Sequence, residues 1–341
     1  MKTKATPTLF LVSFFAIASG ASAQNVPSIA ANITKPDGTN VAVYVVGSYE
    51  DGIMESRYAS GVQAQQFPYS DIASIDWREP DEWRQANDLF TRRKWEEAAA
   101  AYNEFFKKYY ELRDIEDSFP GIGKFRECEC LRRLGKFEEL AKEFENLQRA
   151  NLSERYEIQS KLFNAWGHLG NGLYTPLQLI AESYEIEASD IPAGIVRPSG
   201  LPLKELDPPS LMQVSFLRGI AAKELGEKED KEIQALIAEE DERDAPEIAE
   251  RSAELKRART VALNDFARGM TLTFGNEPDV VKDSLLNSLS IIAKDPELPE
   301  IDMKKREAYS LAVLYTKLYP GTPLPSEYQD FLTPPAPGKA P

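Results

Sequence analysis

DEWRQANDLFTRRKWEEAAAAYNEFFKKYY, residues 81–110, carries two helical periodicities separated by a polar break. Small or apolar residues recur at Ala86, Leu89 and Phe90, then at Trp95, Ala98, Tyr102 and Phe105. Spacings of three and four place each set on one face of a helix. The run Thr91-Arg92-Arg93-Lys94 suits a short turn between them. Helices this short cannot hide their apolar stripes alone, so the two are expected to pack as a hairpin.

A weaker copy follows from about Gly121 to Ala150. Phe125, Cys128 and Leu131 make one stripe, Gly135 is a helix-ending residue, and Phe137, Leu140, Ala141, Phe144 and Leu147 make the next. The pairs Trp95/Phe137, Ala98/Leu140, Tyr102/Phe144 and Phe105/Leu147 share one offset, with residues 111–120 read as an insertion. Any antiparallel helical bundle also accommodates such stripes.

At Ala86, Trp95, Ala98 and Tyr102 the chain resembles the tetratricopeptide-repeat (TPR) family, which places a small residue on the first helix and aromatic, alanine and aromatic on the second. The second copy departs from that pattern, with Cys128 at the small position and Leu140 at the alanine position. The resemblance implies a mainly α fold, a solenoid of TPR-like antiparallel helical hairpins, that grips a protein or peptide with the first helix of each hairpin. Carried onto this sequence, it implies partner contacts from Asn87 and Thr91 in the first copy and from Glu129, Arg132 and Arg133 in the second. The alternative for each is plain surface.

The N-terminus reads as an export signal over residues 1–23. Lys2 and Lys4 precede an apolar run too short to span a bilayer, and Ala21-Ser22-Ala23 is a small-x-small cleavage site, so the mature chain is expected to begin at Gln24. An uncleaved N-terminal anchor is the alternative. The protein is therefore expected to be periplasmic or secreted. The full chain carries a net charge of −15, and removing the two signal lysines makes it more acidic still. Such a chain has no electrostatic basis for tight phosphate binding, which argues against nucleic acid as a partner. No later stretch is apolar enough to cross a membrane.

Residues 24–40 carry Pro, Asn, Asp and Gly and read as a leader. Residues 41–78 read as a small β-domain: VAVYVVGS at 41–48 is β-branched and aromatic, Glu50-Asp51-Gly52 is a turn, residues 53–58 form its hairpin partner, and residues 65–69 and 72–77 complete three or four strands. In size and strand pattern it resembles the SH3-like and Sm-like barrels. Docking on the helices through Trp77, as a partner-binding module or a structural cap, is the implied arrangement.

Helical hairpins are expected over 80–188, with Ser153 as an N-cap, a stop at Gly170-Asn171-Gly172 and a restart at Thr175-Pro176. Residues 189–210 are rich in proline and read as a connection or a functional loop. A second helical half spans 211–320. There Ser210 is the expected cap, Gly226 the expected stop, and Pro246 the start of the next helix. The dense charges of residues 227–260 suit a solvated helix face or, alternatively, an acidic docking surface. Two further helices are expected at 277–293 and 300–319, then a Pro-rich tail over 321–341.

The chemistry-bearing residues are few. His168 is the one histidine, which removes triads and metal sites needing a second, and its place near a helix end suits packing or capping. Cys128 and Cys130, two apart on a helix, point to different faces and suit unpaired thiols. Pro120-Gly121-Ile122-Gly123-Lys124 lacks phosphate-loop spacing. No cofactor, metal or catalytic set emerges. The sequence thus points to a non-enzymatic envelope scaffold that holds a protein or peptide. The alternative is a carboxylate-dependent hydrolase acting on an envelope polymer, which would need converging acids of raised pKa in a cleft.

Overall fold

The computed structural model describes residues 27–49, 52–58, 64–182, 207–239, 245–271, 277–295 and 302–335. The expected signal segment, most of the 189–210 connection and the end of the tail lie outside the described residues.

Five antiparallel strands form the N-terminal sheet: β1 Ile29–Thr34, β2 Asn40–Tyr49, β3 Ile53–Tyr58, β4 Ala64–Pro68 and β5 Ser74–Trp77. Their order is β4-β3-β2-β1-β5, and a 3-10 turn at Tyr69–Asp71 separates β4 from β5. β1 corrects the expected leader. It pairs with β2 from Ile29↔Val45 to Thr34↔Asn40 and with β5 from Ala31↔Trp77 to Thr34↔Ser74. Ile29, Ala31 and Ile33 alternate into the core. Pro, Asn, Asp and Gly made residues 24–40 look like a leader, but pairing on both edges and three inward side chains make Ile29–Thr34 a strand. A bulge between Val45 and Gly47 shifts β2, so that Val43, Val45, Val46 and Ser48 all turn inward.

Ten helices follow among the described residues: α1 Asp81–Thr91, α2 Trp95–Lys108, α3 Phe119–Arg133, α4 Phe137–Leu147, α5 Glu157–Gly170, α6 Tyr174–Glu182, α7 Pro208–Ala238, α8 Ala245–Thr271, α9 Pro278–Ala293 and α10 Asp302–Leu318. The first three pairs close with one turn. Lys94 N–H donates to Leu89 O, Lys136 N–H to Leu131 O and Leu173 N–H to His168 O. One residue earlier, Arg93, Gly135 and Gly172 donate to Phe90, Arg132 and Leu169. Those middle residues have φ of 59°, 69° and 66°. This is the Schellman closure, which satisfies the last carbonyls of a helix through a left-handed residue.

Each helix packs on the next in sequence, and α1, α3, α5, α7 and α9 also pack on one another in series. Two buried cores result. One joins the sheet to α1 and α2 through Ile33, Met54, Trp83, Ala98, Tyr102 and Phe105. The other runs through α4 to α10. α3 belongs to both, because Cys128 lies in the second core and Cys130 in the first. Ala86 and Cys128, the paired small positions, are both fully buried.

The apparent insertion has a structural role. Tyr109, Leu112 and Ile115, within and beside a 3-10 turn at Tyr110–Leu112, are buried in the sheet's core. The extra residues between the first two hairpins thus form the seat of the β-domain. Trp77 also packs there, its ring centroid 6.3 Å from that of Phe119.

Two further expectations need correction. Gly226 does not end α7. It lies inside that helix, where an added Cβ would come 3.2 Å from Leu255, so it admits α8 to close range. Asp207, not Ser210, caps α7, accepting from Ser210 N–H at 2.9 Å with the prolines in the first turn. Ahead of Thr333 the Pro-rich tail is packed: Leu324 is buried, and a 3-10 segment Ser326–Leu332 lays Tyr328 and Phe331 on the second core.

Candidate functional site

Most of the polar chemistry gathers on α3. Ser118 caps it, its Oγ accepting from Gly121 N–H, and Pro120 fits the first turn. Neighbours on several sides bury the helix, so its many charged side chains must find partners inside the protein.

Toward the C-terminal helices, α3 presents Glu129, Arg132 and Arg133. Arg132 meets Glu129 with two N–H groups at 2.8 and 2.7 Å, and Arg133 Nε lies 2.7 Å from the same carboxylate. Glu277, the residue that opens α9, completes the set. Its two oxygens take Arg132 Nη2 at 2.9 Å and Arg133 Nη2 at 2.6 Å. The Arg132 side chain is 3% exposed and that of Glu277 5%. Arg132 faces the Trp166 ring at 5.7 Å and Arg133 the Trp95 ring at 5.4 Å. Burial works to raise the Glu129 carboxyl, but the two guanidiniums outweigh it and hold that group below the usual range. Burial likewise opposes the Arg132 charge, and Glu129 and Glu277 more than offset it.

Asn87 and Thr91 form a separate group on α1. Asn87 Oδ1 accepts from Tyr102 Oη at 2.6 Å and from Arg126 of α3. Thr91 is exposed, and its Oγ donates to the Asn87 carbonyl at 2.8 Å. Arg126 lies over Trp83 and Phe90. The five expected contact residues therefore form two clusters, each tied into the packing of α3.

On another side of α3, Lys124 Nζ lies 2.6 Å from Glu127 Oε2 and 2.8 Å from Glu143 Oε2, above the Phe106 ring. Lys124 and Glu127 are almost fully buried. Burial, the largest effect, pushes the Glu127 carboxyl up to about 7. Burial also disfavours the Lys124 charge, but the two carboxylates outweigh it and raise that amine. Glu143 is held below the usual range despite its own partial burial, because Lys124 and Asn146 donate to it. The triad borders a groove of about 270 Å³ between α2 and α4, whose lining includes Glu96, Asn103, Leu131 and Lys136.

His168 contributes its backbone carbonyl to the α5–α6 turn. Both cysteines are free and buried. Desolvation raises the Cys130 thiol to about 12 and Cys128 well above the ordinary thiol value, so neither is a nucleophile at neutral pH. Among the described residues no group of His, Cys, Asp or Glu is arranged to hold a metal ion.

Glu277, Arg126 and the Lys124–Glu127–Glu143 triad escaped sequence reasoning. Glu277 lies 144 residues beyond Arg133, and only the Glu-Pro start of a helix marks it locally. The triad carried a partial signal: Lys124 and Glu127 are one turn apart on a helix. No family profile, curated protein or solved structure matches this chain.

Proposed function

We propose that this chain is an exported, non-enzymatic scaffold of the cell envelope that holds a protein or peptide on a TPR-like helical surface. The observation that carries the proposal is the serial repetition of the hairpin. Three helix pairs close with the same left-handed turn, and α1, α3, α5, α7 and α9 stack in series. Stacked first helices make a continuous face, the geometry on which helical repeats bind extended partners. The β4-β3-β2-β1-β5 order, with a 3-10 turn before β5, supports an SH3-like cap on the first hairpin. The signal-like N-terminus supports export. The Glu129–Arg132–Arg133–Glu277 network supports a supporting rather than a contacting role for those three α3 residues, with Thr91 left as the exposed contact.

Photo-crosslinking in the native envelope tests the proposal. A benzophenone side chain at Thr91 should capture one protein reproducibly, and N-terminal sequencing of the mature chain should start at Gln24. Absence of any crosslinked protein, together with turnover of an envelope polymer that Glu127→Gln abolishes, would overturn the scaffold in favour of a hydrolase.

A further inference from the structure

Arg126 stands apart from the other two arginines on the C-terminal half of α3. Arg132 and Arg133 close on Glu129 and Glu277. Among the described residues no carboxylate pairs with Arg126; its Nη1 donates to two neutral oxygens, Asn87 Oδ1 and, at 3.2 Å, Tyr102 Oη. The centre of the guanidinium lies 5.2 Å from the Trp83 ring and 5.5 Å from the Phe90 ring. Trp83 and Tyr102 are buried, so these contacts hold the side chain in one place.

The edge that Arg126 leaves unused is the one suited to a ligand. Nε and Nη2 form the fork with which arginine takes both oxygens of a carboxylate. Arg132 turns that edge to Glu129, and Arg218 turns it to Asp265. In Arg126 neither nitrogen has a partner and neither is sealed from solvent. The one acid three or four residues away on the helix, Glu129, is taken up by Arg132 and Arg133. A cation wedged among rings and neutral oxygens has lost hydration without gaining a counter-charge. This happens in a chain with 55 acidic against 40 basic side chains, where an internal counter-charge would be easy to supply. The bond to Asn87 of α1 places Arg126 where the first helices stack.

We propose that Arg126 recognises an acidic side chain, an internal Asp or Glu of an extended segment of the partner, through its Nε–Nη2 fork, with Asn87 and Tyr102 holding the guanidinium in position. The inference rests on the scaffold reading above and adds the chemistry of what is held. A side chain within a segment, rather than a chain end, suits a fork set between α1 and α3, because the stack continues beyond it through α5, α7 and α9.

Random twelve-residue peptides with amidated C-termini, arrayed and probed with the mature chain, test it. The peptides that bind should share Asp or Glu at one position. Replacing that acid by its amide should weaken the best peptide about tenfold for the parent and change nothing for Arg126→Gln. Asn87→Asp gives Arg126 an internal carboxylate of the same size. Its melting temperature should equal or exceed that of the parent while affinity for the acidic peptide falls about tenfold, which separates lost binding from lost folding. Bound peptides with no shared acid, or an acid whose replacement costs Arg126→Gln as much as the parent, would overturn the assignment and leave the scaffold reading standing. Tighter binding of the same peptides with free C-termini would move the carboxylate to a chain end and overturn it likewise. Absence of any bound peptide would overturn the peptide-holding face together with it.

Discussion

Glu127 and Glu143 share a single ammonium, that of Lys124, and the more deeply buried carboxyl, Glu127, is the one pushed up to hold its proton to higher pH. The folded-state value of about 7 lies above the ordinary carboxyl value near 4.5, so between those two pH values the folded chain binds the proton that the unfolded chain has released. Stability contributed by Glu127 must therefore fall as pH rises from about 4.5 to 7. Glu127→Gln, which mimics the protonated form, should remove that slope and be the more stable chain above pH 7, by about 1–3 kcal/mol. Melting curves of both chains across this pH range check it; parallel curves would sink the assignment. The charges of α3 were plain in the sequence. Their burial was not, because a Lys-x-x-Glu pair looks identical on a wet face and in a core.

At the scale of the element, three hairpins close with one turn, and only the first uses a residue with a Cβ at the left-handed position. A left-handed side chain costs about 1–2 kcal/mol relative to glycine. Arg93→Gly should therefore raise the denaturation midpoint, by about 1 kcal/mol of stability, and Gly135→Ala should lower it by a similar amount. Nothing crowds a Cβ at Gly135, so backbone conformation alone is tested there. Gly170 differs. An added Cβ would lie 2.6 Å from the Phe137 backbone carbon and 2.7 Å from Glu138 N, where α5 approaches the start of α4. Gly170→Ala should cost about 1–3 kcal/mol through that overlap, measured by urea denaturation. The turn glycines were legible as helix stops because each is followed by a new stripe. Gly226 was misleading because the same residue type also serves close helix packing, and only the position of Leu255 tells the two uses apart.

Across the whole molecule, aromatic rings link one element to the next. Phe137, Trp166, Phe216 and Phe266, from α4, α5, α7 and α8, follow at centroid separations of 5.0, 5.4 and 6.0 Å. The Trp166 indole also donates to Gln213 of α7 at 2.9 Å. This series joins neighbours, whereas Glu277 joins the start of α9 to α3 across more than 140 residues of chain. Removing a partner from a buried ion pair is costly, and Glu129 keeps part of the compensation for Arg132. Glu277→Gln should accordingly cost about 2 kcal/mol, and a double-mutant cycle with Arg133→Gln should give a coupling of about 1 kcal/mol or more. Small-angle scattering should show a larger radius of gyration for Glu277→Gln, since the α3–α9 tie is gone. Additive variants with an unchanged radius would mean that the network carries no tie.

Local periodicity was enough to place the first three hairpins, their turns and the strands β2 to β5, because stripe spacing and turn chemistry act within a few residues, but it broke α7 at Gly226. β1 carried only a short signal, the alternation of Ile29, Ala31 and Ile33 in a stretch beside Pro, Asn, Asp and Gly; its identity as a strand comes from two partners that the chain supplies later. The same holds for the seat beneath the sheet, the buried charges of α3 and the tie from Glu277. Each depends on contacts between segments far apart in sequence, and burial converts an ordinary solvated charge into one that must be paired.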